Sequence, residues 1–498
     1  MDGTKLMHQF RAFSDEDLLA FKKYLALNGA RQLQTLFDYM LRHRRRPEGW
    51  FEKKQVYEKL FSEGKAAYND DRMRNIMTRL GQQMEAFLIQ RELAEDKELN
   101  RQLLIRAYKK RDAYFLFRTE ISTRLRKLEG QKERGIAFFR ECATLYHHLF
   151  FHPDTKGSYK PGKDIYQKLI RSFESWVALG MLSYQSDFLV QQRLLSGKNP
   201  SQFIETTLHK IDQLLEIEEN PVADVLFHIC KLPASGFSFE DIDQVYERYQ
   251  RASPHMGEFE RNAASKALIS KINMLVSATG DPRLFSLLFN MHKDGLETDM
   301  YVEQGAMSAR VFLNIAVTAA TVGDFEWTEN FIHDYAPMID EKERVDALPI
   351  SRAYLDYNRG RMATEKDAGI HFNAAKQGLS EIRHGQPDYE LRVRSLQLRI
   401  FYEYDLVIEK NSQLLTNFSR SFRQYLYQQD NRLAESLIQA YLDFIHYTLK
   451  LARLHSPTAK KPLEKLEKTI LAMKKKPTQT MMRHWLMEKA EELQKLLR

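Results

Sequence analysis

Apolar residues recur at helical spacing almost from the start of the chain. Leu18, Phe21 and Leu25 repeat on one face. Just before them, Ser14 is placed to cap a helix, with Asp17 as its capping-box partner and Phe13 and Leu18 as a hydrophobic staple. The same signature returns at Phe237-Ser238-Phe239-Glu240-Asp241-Ile242. Further helices are predicted over about 30–44, 52–61 and 69–93. The last carries the stripe Met73, Ile76, Met77, Leu80, Met84, Phe87 and Leu88, with Arg72, Arg74, Arg79 and Gln83 mainly off it. A long amphipathic segment, 96–128, follows.

From there helix follows helix, with breaks at 153–162, 196–200, 233–238, 253–257 and 280–282. Asn199-Pro200, Asn220-Pro221, Ser253-Pro254, Asp281-Pro282 and Ser456-Pro457 each place a capping residue before a proline at a first helical position. About twenty helices joined by short loops imply antiparallel neighbours. Over several hundred residues that pattern implies an α-solenoid, because single cores rarely grow so large. Two helices, near 461–474 and from 480 almost to the end, close the chain. Leu463, Leu466 and Ile470 face inward from one, and Met482, Leu486, Ala490, Leu493 and Leu497 from the other.

Composition supports the helical reading. The 498 residues include only 21 glycines, 14 prolines and 14 valines. Turn formers and β-branched residues are both scarce, which disfavours sandwiches, barrels and parallel sheets. A hydrophobic share of 43% can fill a substantial core. Two cysteines, Cys142 and Cys230, cannot build a disulfide framework and suit a reducing compartment. Residues 1–10 lack the apolar core of a secretory signal, and the most apolar stretch, 311–322, is too short to span a bilayer. The expectation is a soluble cytoplasmic protein without membrane contact.

The net charge of +8 is unevenly spread. Residues 1–130 hold 27 Lys+Arg against 19 Asp+Glu, and residues 446–498 hold 13 against 5. The 315 residues between carry 35 against 43. Two basic ends flank an acidic middle, which raises the prospect of an anionic partner at the ends.

Part of the C-terminal half resembles tetratricopeptide repeats. Ala316, Gly323, Phe325 and Ile332 fit one such unit, with Thr328 where alanine is expected, and Ala368, Phe372 and Ala375 fit the second helix of another. Thr328 and Ala368 lie forty residues apart, longer than the standard repeat of about 34. A helix pair at 388–410 and 411–427 has similar lengths without the motif. The resemblance covers about residues 300–430 and implies a concave protein-binding surface. The N-terminal block is similar to the opening of a family of uncharacterised, all-helical bacterial proteins of about this length. The similarity rests on Phe13-Ser14 with Phe21 and Leu25, Leu60-Phe61, Tyr68-Asn69-Asp70, residues Arg74 to Leu80, and Glu85-Ala86-Phe87-Leu88. It implies a helical fold and a bacterial source, and carries over no functional residues.

Glu141, His148 and His152 lie seven and four residues apart and would share a helix face, a spacing compatible with zinc. The competing reading is an amphipathic helix end before Pro153. No cofactor is expected. Arg42, Arg44, Arg45 and Arg46 could contact phosphates, and Arg72 and Arg79 lie on a long helix placed as a helix-turn-helix reader would need. Yet the arginine run precedes Pro47 at a helix C-terminus, where the macrodipole alone favours positive charge. Lys474 to Lys476 sit before Pro477 in the same way, whereas Lys460 and Lys461 precede Pro462 at a helix start. Walker, dinucleotide-glycine, nucleophile-elbow and His-Glu-x-x-His motifs are absent from the sequence. Tyr354, Tyr357 and Arg361 are the kind of side chains that line a partner groove, or else fill space between helices.

The sequence thus predicts an all-α protein: an N-terminal four-helix domain over 1–95, a helical-repeat array over 96–455 and a C-terminal cap over 456–498. Its expected role is a non-enzymatic scaffold that binds another protein. The alternative is a DNA- or RNA-binding protein that uses the basic N-terminal domain.

Overall fold

A computed structural model describes residues 1, 3–44, 51–61, 67–152, 159–191, 208–209, 211, 220–233, 236–380, 382, 387–410, 412–429, 433–455, 459–475 and 480–498. Among these residues the protein is all-α: 22 α-helices and one two-stranded hairpin. No described helix is long and apolar enough to cross a membrane. The chain divides into two compact units, Met1–Glu129 with His148–Tyr159, and Gly130–His147 with Lys160–Arg498.

In the first unit, α1 (Lys5–Ala12), α2 (Asp15–Asn28), α3 (Arg31–Arg42) and α4 (Lys53–Leu60) pack around α5 (Asp70–Glu95). The capping box at Ser14 and Asp17 starts α2 as the sequence predicts. The α5 stripe is buried from Met73 to Phe87, but Leu88 is partly exposed. The segment predicted as one piece over 96–128 is two helices, α6 (Lys97–Lys110) and α7 (Tyr114–Glu129). Asp112 breaks it by adopting a left-handed backbone, φ 53°, a conformation that Asp tolerates better than most residues. The boundary between the units falls within α8 (Ile136–Phe150).

In the second unit, α9 (Tyr159–Gln191), α10 (Pro221–Lys231), α11 (Phe239–Ala252), α12 (Glu258–Thr279) and α13 (Arg283–Glu297) share one core. Asn220 caps α10 through its side chain, and Ser238 and Asp241 form the second capping box. At Ser253-Pro254 the expected helix start is instead a single 3-10 turn, Ser253–His255. A hairpin, β1 (Val302–Glu303) and β2 (Ala306–Met307), then turns through Gln304 and Gly305, both at positive φ.

A further core joins α14 (Ala309–Val322), α15 (Phe325–Tyr335), α16 (Glu341–Met362), α17 (Glu365–Ser380) and α18 (Pro387–Ile400). Ala316, Ala368, Phe372 and Ala375 are all buried here, three small side chains and one aromatic. Gly323 ends α14 in the left-handed conformation. Helix α16 runs through Pro349, which removes the donor that would otherwise satisfy the Val345 carbonyl. After α18 the chain widens into a π-helical stretch, Phe401–Ile408. The last core joins it to α19 (Gln413–Gln428), α20 (Glu435–Leu454), α21 (Pro462–Lys475) and α22 (Arg483–Leu497).

Within this unit the terminal helix returns to an early one. Helix α22 packs on α20 and α21 and also on α12. The ring of His484 meets Phe285 of α13 edge-on at 5.0 Å. Gly280 makes the approach possible: its φ is 73°, and a Cβ there would lie 2.6 Å from the His484 Cα.

Candidate functional site

Three cores meet around a cavity of about 700 Å3 in the second unit. Each wall is a helix face set by three- and four-residue spacing. Helix α14 contributes Arg310, Asn314, Val317, Thr318 and Thr321; α18 contributes Arg392, Ser395 and Arg399. Tyr354 of α16, Phe285 and His292 of α13, Tyr441 of α20 and His484 of α22 complete much of the lining. A second cavity of about 730 Å3 shares Ile269, His292, Ser308, Asn314 and Glu343 with the first.

The wall is cationic. It holds three arginines, Arg310, Arg392 and Arg399, against one carboxylate, Glu343. Arg392 donates to the Asn314 side-chain oxygen at 2.6 Å. Both wall histidines are held neutral at pH 7. Burial lowers His292 to about 4, and its Nδ1 lies 2.9 Å from the Tyr301 hydroxyl. Burial, helped by the charges of Arg399 and Arg361, lowers His484 to about 3. Arg399 is 6% exposed. Its guanidinium lies over the rings of Tyr357 and Tyr354, 4.8 and 5.3 Å from their centroids. Its Nε reaches the Ser395 carbonyl at 3.4 Å, while one terminal nitrogen has no hydrogen-bond partner.

Behind this wall sits a buried ionic network centred on Glu403, which the π-helical stretch carries inward. The Glu403 carboxylate accepts from Trp485 Nε1 at 2.7 Å and from the Tyr357 hydroxyl. Lys489 pairs with it at 2.9 Å and Arg361 at 3.4 Å; Arg361 also pairs with Glu488. Burial pushes the Glu403 carboxyl up. The charges of Lys489 and Arg361 and the Tyr357 and Lys489 hydrogen bonds outweigh it and hold the group below the usual carboxylate range. The network ties α16, the π-helical stretch and α22 together.

These placements sort the residues singled out from sequence. Tyr354 lines the cavity and is almost fully buried. Tyr357 has no exposed surface left for a partner, and Arg361 is engaged with two carboxylates. Both belong to the interior network rather than to a groove. His152 is buried between the rings of Tyr114 and Phe117, each with its centroid 4.7 Å away. His148 meets the edge of Phe117, and Glu141 is buried on the preceding part of α8. Among the described residues no three His, Cys, Asp or Glu side chains form a metal-holding group.

Of the basic candidates, Arg44 pairs with Asp15 and donates to the Phe13 carbonyl at 3.2 Å, so it fastens α3 to the start of α2. Arg72 lies 4.0 Å over the ring of Phe61. Arg42 and Arg79 are exposed. Arg45 and Arg46 lie outside the described residues.

One surface feature escaped the sequence reading. Helix α9 exposes Tyr166, Phe173, Val177 and Tyr184, each between 39% and 68% accessible. Their spacing of seven, four and seven puts all four on one line along the helix. Phe259, also exposed, packs beside Tyr184 at 5.3 Å. That spacing was visible in the sequence; the exposure was not, because apolar stripes at helical period are ordinarily buried. No protein-family model, curated protein or solved structure matches the chain.

Proposed function

We propose that this protein is a non-enzymatic, degenerate helical-repeat scaffold that binds another protein, and that its contact surface is the α9 stripe. The observation that carries the reading is the line of exposed Tyr166, Phe173, Val177 and Tyr184. Four large, partly exposed side chains along one helical line are what a partner helix with matching apolar spacing would cover. Tyrosine and phenylalanine are also enriched at interfaces, and tyrosine is among the residue types that dominate their binding energy. The packing of α14 against both α15 and α16, and of α16 against α17 and α18, supports the repeat-like architecture.

The test is site-specific photo-crosslinking in the native host. A photoreactive side chain at Val177 is expected to trap one discrete protein, and the same group at Lys168, on the opposite side of α9, is not. Phe173→Glu should abolish the Val177 product while leaving the circular dichroism spectrum unchanged. Equal products at both positions, or a Val177 product that survives Phe173→Glu, would refute the assignment.

A further inference from the structure

We infer that the α14–α18–α22 cavity is a binding site for a small molecule carrying an oxyanion, a phosphate or carboxylate group that docks on Arg399. This goes beyond the scaffold reading and does not depend on the α9 stripe.

The argument begins with an uncompensated charge. A guanidinium is ionised at any physiological pH, and a charge moved into the interior without a partner costs several kcal/mol. Arg399 is nine-tenths buried, is in no ion pair among the described residues, and keeps one terminal nitrogen without an acceptor. Glu403 does not serve it, because that carboxylate is taken by Lys489, Arg361, Tyr357 and Trp485. The faces of Tyr354 and Tyr357 stabilise the cation and hold its plane, but they supply no oxygen acceptor to the free edge. That edge belongs to a residue lining a cavity whose wall is otherwise short of negative charge.

The surroundings suit an anion. Arg392, two helical turns before Arg399 on the same face of α18, adds a second cation that donates to a neutral amide. His484, beside Arg399, is a neutral imidazole that can donate one hydrogen bond without adding charge. Size argues for a small molecule. The cavity of about 700 Å3 falls within the range of small-ligand sites. The planar fork of arginine binds phosphate and carboxylate in the same bidentate manner, so the two chemistries must be separated by experiment.

Isothermal titration of the full chain in chloride buffer, with inorganic phosphate and separately with succinate, tests the site. One of the two is expected to bind with unit stoichiometry, and which one identifies the oxyanion class. Arg399→Gln should weaken that binding by about tenfold or more. Should this variant fail to fold, the wild-type chain still decides. With histidines labelled with nitrogen-15, the resonance lost in His484→Gln should shift on titration with the binding anion. The proposal is overturned if neither anion binds, if a folded Arg399→Gln binds as well as wild type, or if binding leaves the His484 resonance unmoved. Binding of a hexaglutamate peptide where neither small anion binds would also overturn it, in favour of an acidic segment of a partner.

Discussion

At the scale of single residues, the protein places charge where water cannot reach it. Glu403 is about nine-tenths buried, yet it stays ionised because two cations and two neutral donors converge on it. Removing one member of such a group leaves the others buried and uncompensated. Glu403→Gln is therefore expected to destabilise the second unit by about 3–5 kcal/mol in urea denaturation followed by circular dichroism. A change below about 1 kcal/mol, the scale of an exposed ion pair, would show that the network does not stabilise the fold. The two neutral histidines make a separate prediction. Both have folded-state values, about 4 for His292 and about 3 for His484, below the ordinary 6.5. As pH falls through 6.5 the unfolded chain binds protons that the folded chain refuses, so stability present above that pH drains away. Between about pH 6.5 and pH 5 each should cost on the order of 2 kcal/mol. His484→Gln should flatten the measured stability–pH curve by that amount; an unchanged slope would mean that His484 does not stay neutral in the folded protein.

At the scale of elements, local signals and tertiary demands meet most sharply where α22 docks. Gly280 ends α12 in the left-handed conformation, a use of glycine that the Gly280-Asp281-Pro282 break foretold. Its second role was invisible locally: the absence of a Cβ lets the backbone of His484 approach. Gly280→Ala meets both obstacles, the strained φ and the 2.6 Å approach, and should cost about 1–3 kcal/mol. Hydrogen exchange should show the loss in residues 483–497, with the amides of α2 unaffected. Uniform acceleration throughout the chain would argue against a local docking role. Other local surprises have similar causes. Asp112 divides a stripe that reads as continuous, because a left-handed backbone leaves no mark on apolar periodicity. Pro349 is carried inside α16 because the buried residues around it, Ala347, Ile350, Ser351 and Ala353, hold the helix together through packing.

At the scale of the whole molecule, the second unit depends on its last helix. Trp485, Leu486, Ala490 and Leu493 are buried in its final core, and Lys489 supplies a cation to Glu403. Each large apolar side chain is worth about 1.5–3 kcal/mol on burial. A chain ending at Met481 should therefore lose cooperative unfolding of the second unit and become sensitive to limited proteolysis between residues 387 and 475. A fragment containing α2 to α5 should persist. Protease resistance equal to that of the full chain would show that α22 is dispensable. By itself, the sequence determined the helices, most of their starts and stops and their buried stripes, because capping and amphipathic spacing are properties of consecutive residues. It also marked residues such as Tyr354 and Arg361 as unusual, but could not say whether they faced a groove or an interior. That choice, the burial of Arg399 outside any ion pair among the described residues, and the ionised Glu403 depend on residues far apart in the chain, Tyr357 and Lys489 around Glu403 being 132 positions apart. Only the tertiary structure decided them, because a helix face has no meaning as wall, core or surface until another helix is packed against it or left away.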